Sequence, residues 1–150
     1  MNFIKNAYNL IRNKIWHIFY DDCNYWHYVS AEEYLSEEFI REFQDRVEWE
    51  EISRYQTLSE DFVREFQDKV NWYWISRFQK LSEDFIRELQ DKVDWECICI
   101  EQSLSEDFIR EFRDKVEWRC ISKCQKLSEN FIREFQNKVN WGGISWHQKL

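Results

Sequence analysis

The chain has 150 residues, a formal net charge of −8, nine Trp, twelve Phe, five Cys, two Gly and no Pro. An acidic chain without a clustered Lys/Arg stripe lacks the electrostatic footprint of a nucleic-acid binder. An odd cysteine count with no secretory signal points to free thiols in a reducing, intracellular compartment rather than to a disulfide framework.

Residues 1–34 read as an N-terminal cap. Polar residues run through its start, and the apolar run 15–20 is short and interrupted by His17, so neither a signal-peptide core nor a membrane span is expected. Shifted by 23 residues, Trp26 falls on Trp49, Val29 on Ile52, Ser30 on Ser53, Trp16 on Phe39 and Tyr20 on Phe43. From about Arg12 onward the segment is therefore a degenerate copy of the unit that fills the rest of the chain. Terminal repeats of stacked arrays are atypical because one side faces water. Lys5, Arg12 and Lys14 read as surface charge.

Residues 35–150 are built from a 23-residue unit repeated five times, starting at Leu35, Leu58, Leu81, Leu104 and Leu127, with Leu150 in the place of a sixth start. Trp49, Trp72, Trp95, Trp118 and Trp141 recur at the same interval. A period in this range marks an array in which each unit buries its apolar face on its neighbours. In the unit 58–80, Leu58, Phe62, Val63, Phe66 and Val70 trace one face of a helix, A. Ser59 precedes it as an N-cap, and Glu60 and Asp61 place negative charge at the positive end of its dipole. The spacing predicts ion pairs from Glu60 to Arg64 and from Glu65 to Lys69, and rows of charge between neighbouring units.

After Val70 the phase breaks, since Trp72 would lie about 200° around the same axis. Asn71 stands between them, matched by Glu48, Asp94, Glu117 and Asn140, mostly residues able to cap a new helix. Trp72, Ile75 and Gln79 then predict a second and shorter helix, B. With so little Gly and no Pro, the turns must be made by capping side chains. The expected fold is all-α, an α-solenoid of stacked two-helix repeats, with the Trp and Phe rings as core between repeats. In the last unit Gly142 and Gly143 open helix B at a cost of about 1 kcal/mol each. That uncapped repeat is expected to fray or to be covered, by self-association or by another protein.

Four positions of the unit vary freely between copies. They hold Glu50, Glu51, Arg54 and Tyr55, then Tyr73, Trp74, Arg77 and Phe78, then Glu96, Cys97, Ile100 and Glu101. The fourth copy has Arg119, Cys120, Lys123 and Cys124, and the fifth Gly142, Gly143, Trp146 and His147. Their spacing puts all four on one face of helix B. Tolerant surface positions would also vary in this way. Against that bland reading, exposed positions of helix A have barely drifted, and the variable face carries aromatic residues typical of binding hot spots. The candidate partner-binding residues are Glu51, Arg54, Tyr55, Tyr73, Trp74, Arg77, Phe78, Cys97, Glu101, Arg119, Lys123, Trp146 and His147.

Reaction chemistry is not visible. Cys97, Cys99, Cys120 and Cys124 approach a metal-site count, but their CxC and CxxxC spacings are not those of a usual zinc site, and Cys99 takes the framework place of Ser53, Ser76, Ser122 and Ser145. Carboxylates repeated in every unit are a structural pattern rather than a poised acid and base. No catalytic residue, metal or cofactor is expected.

The string LSEDFIREFQDKV-[DN]-W-x-x-I-S-x-x-Q-K resembles tandem repeats in large families of giant DNA viruses of amoebae, the mimivirus and marseillevirus relatives. Residues 35–150 carry the match closely and 12–34 loosely, with Leu89, Arg113, Cys99 and Ile100 as departures. The resemblance implies a viral origin and expression in host cytoplasm. Together these readings predict a non-enzymatic scaffold that binds a host or viral protein, with no nucleic-acid or membrane partner. The runner-up is a structural virion or assembly component that stacks on itself or on capsid proteins.

Overall fold

The computed structural model describes residues 23–32 and 34–148, and the chain divides into two compact units, 1–71 and 72–150. Residues 1–22, with Lys5, Arg12, Lys14, Trp16 and Tyr20, lie outside the described residues, as does Leu150. The division falls between the two helices of the second repeat.

Among the described residues there are eleven helices and no strand. The first unit holds α1 (Cys23–Glu32), α2 (Glu37–Glu42), α3 (Trp49–Tyr55) and α4 (Glu60–Glu65). The second holds α5 (Trp72–Phe78), α6 (Glu83–Glu88), α7 (Trp95–Glu101), α8 (Glu106–Glu111), α9 (Trp118–Cys124), α10 (Glu129–Glu134) and α11 (Trp141–His147). Helix A of each repeat alternates with helix B at the 23-residue period. In the first unit α1 packs on α3, and in the second α5, α7, α9 and α11 pack in succession. Each unit is thus an α-solenoid of tandem two-helix repeats.

Every helix A starts as its sequence requires. Ser36, Ser59, Ser82, Ser105 and Ser128 have extended backbone, and each hydroxyl accepts the N–H three residues on at 3.1–3.2 Å. The pair that follows the acidic first turn, Phe62–Val63 in one unit and Phe85–Ile86 or Phe108–Ile109 in the other, is fully buried, as are Ile52, Ile75, Ile98 and Ile121 of helix B. Leu58, Phe66 and Val70 complete the predicted apolar face and are also buried.

The extent of helix A differs from the reading of the sequence. Its regular part has six residues and helix B has seven, so B is not the shorter arm. Helix α4 ends at Glu65, and Phe66 leaves helical geometry with φ −110° and ψ 27°. A tight turn follows, in which the Lys69 and Val70 N–H groups both donate to the Phe66 carbonyl, at 2.9 and 3.1 Å. The cause lies in two backbone groups that would be partners in a longer helix. In the third repeat, the Gln90 carbonyl accepts from the Trp95 indole at 3.0 Å, and the Asp94 N–H donates to the Ser76 hydroxyl of the preceding repeat at 2.9 Å. The same diversion occurs at Gln44 and Glu48, which are taken by Trp49 and Ser30. The Ser30 bond, together with the burial of Trp26 and Val29, makes α1 the helix B of the degenerate first copy.

Trp49, Trp95 and Trp118 also face the next repeat. The Trp95 ring lies 6.3 Å from Phe108 and 5.1 Å from Phe112, and Trp118 lies 6.2 Å from Phe131 and 4.9 Å from Phe135. Trp49 meets Phe62 and Phe66 in the same way. These indoles are half-buried, whereas Trp141 of the last repeat is 57% exposed.

A buried polar ladder closes the stack. The Gln102 side-chain carbonyl accepts the Leu81 N–H at 3.1 Å, while its amide donates to the Ser76 and Gln79 carbonyls at 3.2 and 2.8 Å. Gln125 does the same with Leu104, Cys99 and Gln102, and Gln56 bridges Leu35 and Ser30 in the first unit. Backbone groups left between helices are thereby satisfied by protein, a role that the helical spacing of these glutamines does not announce.

Ion pairs run between repeats as predicted, with one partner changed. Arg87 donates to Glu111 and Arg110 to Glu134, at 2.8 and 2.9 Å, and Arg41 to Glu65 at 2.8 Å. The expected Arg64–Glu60 contact is present at 3.9 Å, joined by Arg64–Asp61 at 2.8 Å. The expected Glu65–Lys69 pair is replaced: the helix ends at Glu65, so Lys69 sits in the turn and reaches back to Gln44 and Asp45. No described helix is long and apolar enough to cross a membrane.

Candidate interaction face

The outward side of helix B repeats with the stack, because burial of Ile75, Ile98, Ile121 and Ile144 fixes the rotation of each helix. In the first unit Arg54 and Tyr55 are exposed on α3, with the guanidinium 4.9 Å from the Tyr55 ring. Glu51 is half-buried, and a carboxylate oxygen lies 3.9 Å from the His27 Nδ1 of α1.

In the second unit α5 carries the densest aromatic group. Trp74 stacks on Phe78 at 5.6 Å and meets Tyr73 edge-on at 4.7 Å. Arg77 donates to the Tyr73 hydroxyl at 2.6 Å and lies 5.5 Å from the Phe78 ring. Tyr73, Arg77 and Phe78 are exposed, and Trp74 is half-buried. Beside them α7 presents Glu96, Ile100 and Glu101, then α9 presents Arg119, Lys123 and Cys124, and α11 ends the row with Trp146 and His147, all exposed. Glu96, Ile100 and Cys124 join the candidate residues on this face. All three hold variable positions of the repeat, and that is the signal by which they are found.

Cys97 is the exception among the predicted residues. It is 7% exposed, because its position in the repeat lies at the seam between consecutive helices B rather than outward. Gly143 shows the tightness of that seam: a Cβ there would meet the Ser122 Cβ at 3.2 Å and its carbonyl carbon at 3.3 Å. Burial pushes the Cys97 thiol up to about 12, with the Asp94 carboxylate adding to the effect. Cys99, fully buried, accepts the Glu117 N–H at 3.4 Å in place of a serine hydroxyl, and burial raises it to about 12 as well. Cys120 is raised in the same direction by burial and then by Glu96. Nucleophilic cysteines sit where their thiolate is favoured, and these three are disposed the opposite way. Among the described residues, no three His, Cys, Asp or Glu side chains converge into a metal-binding group.

The constancy of helix A has a structural cause. Arg87, Glu111, Arg110 and Glu134 form the inter-repeat ladder, and Glu83 accepts the Ser105 N–H at 2.6 Å. Those exposed residues are held by packing between repeats, so their invariance says nothing about binding. What distinguishes helix B is the kind of residue it exposes. Tyr55, Tyr73, Phe78, Ile100 and Trp146 are large apolar side chains left open to solvent at variable positions, and Tyr28, at the position that Cys97 holds in the third repeat, is also exposed on α1. Comparisons with protein-family models, with curated proteins and with solved structures return no match.

Proposed function

We propose that the chain is a non-enzymatic helical-repeat scaffold that binds a protein through the variable face of its B helices. The observation that carries this reading is the row of exposed aromatic residues on an otherwise charged surface, at the positions that differ from copy to copy. Large rings beside Arg give much contact area at small entropic cost, the composition of binding hot spots. The acidic chain and its lack of a basic stripe support a protein partner over a nucleic acid. The repeat motif supports, within the same proposal, a giant-virus origin and a place in the host cytoplasm or the virion.

The test is capture from an amoebal lysate by the immobilised chain, set beside a Y73S/W74S/F78S variant and a W146S variant. Proteins held by the parent and lost by the variants, with helicity unchanged by circular dichroism, are the expected result. Recovery of the same proteins by all three chains would refute the proposal.

A further inference from the structure

We infer that the helix-B face of the second unit docks a second copy of this chain, about a two-fold axis lying in the plane of the face, parallel to the helices and between α7 and α9. The inference rests on the reading of that face as an interaction surface and names its partner. It comes from the order of chemistry across the stack. From α5 to α11 the face runs aromatic with Arg77, then acidic with Glu96 and Glu101, then basic with Arg119 and Lys123, then aromatic with Trp146. Reversed, the same order is aromatic, basic, acidic, aromatic. A face laid against its own reversal therefore sets the acidic helix on the basic one and the two aromatic ends on each other.

Isologous interfaces need this self-complementarity, since each patch meets its symmetry mate. An in-plane axis parallel to the helices reverses the stack but keeps the helices parallel, so equal positions of the repeat meet. Glu96 and Arg119 both follow the Trp of their repeats, and the Glu101 and Lys123 positions differ by one residue. Arg77 and Phe78 then oppose Trp146, a pairing open to ring and cation–π contacts. The other face-to-face axis, along the stack, sets α7 on α7 and α9 on α9, where like charges repel. The formal charge of −8 also disfavours generic contact between copies, so association is confined to a face where both signs alternate.

The strip spans three helix spacings of about 9–10 Å and a helix length of about 10 Å. That is below the roughly 800 Å² per partner of a standard interface, so a weak association is expected. Sedimentation equilibrium of the full chain from about 10 to 500 µM, in about 20 mM salt, covers that range. The average mass is expected to rise from 18.9 kDa toward the dimer value, and to rise less in about 0.5 M salt, where charges are screened. R119E/K123E makes both central helices acidic and E96K/E101K makes both basic, so each variant alone should stay at 18.9 kDa. Their equimolar mixture should regain dimers. The single variants K123E and E101K serve where a double variant fails to fold.

A parent chain that keeps the monomer mass throughout would overturn the inference, as would a mixture that stays monomeric or a double variant that associates like the parent. The self-docking and the scaffold role can fail separately. A monomeric parent whose capture of another protein is lost in Y73S/W74S/F78S sinks the self-docking and leaves the scaffold standing.

Discussion

Replacing Gln102 by Met tests the buried ladder. The two side chains have similar length, so the change removes polar atoms without opening a large cavity. It strips the Leu81 N–H of its acceptor at 3.1 Å, and the Ser76 and Gln79 carbonyls of a donor at 3.2 and 2.8 Å. A buried group left unpaired costs about 1–3 kcal/mol, and an N–H is harder to leave orphaned than a carbonyl with two lone pairs. Burying the Met side chain returns about 1 kcal/mol, which leaves an expected loss of about 3 kcal/mol. Urea unfolding followed at 222 nm gives this as a lower midpoint with an unchanged slope. Gln148 makes the equivalent three bonds to Leu127, Ser122 and Gln125 but is only half-buried, so water can replace them. Q148M should lose less than half as much. A Q102M loss below about 1 kcal/mol, or equal losses in the two variants, would show that the ladder is not what closes the stack.

Three further outcomes are expected from the geometry. W95A should cost about 2–3 kcal/mol, at or below the low end for core aromatics because its ring is half-buried, while W141A, whose side chain is largely exposed, should cost under about 1 kcal/mol; equal chemical-denaturation losses would contradict the inter-repeat role of the ring. Burial pushes the Cys99 thiol up to about 12 in the folded chain, above the ordinary value of about 8.5 that it regains on unfolding, so the unfolded chain ionises first. Stability should therefore hold below about pH 8.5 and fall above it by up to about 1.4 kcal/mol per pH unit relative to C99S, which places at residue 99 the serine found at this position in the other repeats; parallel alkaline profiles for the two chains would refute this. In α11, G142A meets only the Asn140 side chain, at 3.2 Å, and should gain up to about 1 kcal/mol of helix propensity. G143A faces Ser122 backbone at 3.3 Å and should gain nothing, so thermal melts that rank G143A above G142A would contradict the seam.

Much of the architecture was legible because it depends on local periodicity. Leu58, Phe62, Val63, Phe66 and Val70 announce a buried face, Ser59 announces the helix start, and the interval between tryptophans announces the stack. The candidate face was legible in outline, since Tyr73, Arg77, Phe78 and Trp146 are exposed where their positions placed them. Cys97 was not, because a step of one residue along a helix turns a side chain by about 100° and moves it from the open face into the seam. The glutamines were not either, since Gln79 fits the helical spacing of Trp72 and Ile75 and nothing in that spacing marks it as a bridge.

The sequence by itself determined the period, the apolar faces, the Ser caps and the place where helix A gives way to helix B. Only the tertiary structure decided how helix A ends and what its charges do. Gln90 and Asp94 would share a backbone hydrogen bond in a continuing helix, but an indole from their own repeat takes the carbonyl and a hydroxyl from the preceding repeat takes the N–H. Lys69, freed from the helix by the same break, pairs backward with Asp45 instead of with Glu65. Both outcomes depend on a neighbour placed 18 to 24 residues away, a distance at which only packing brings the groups together.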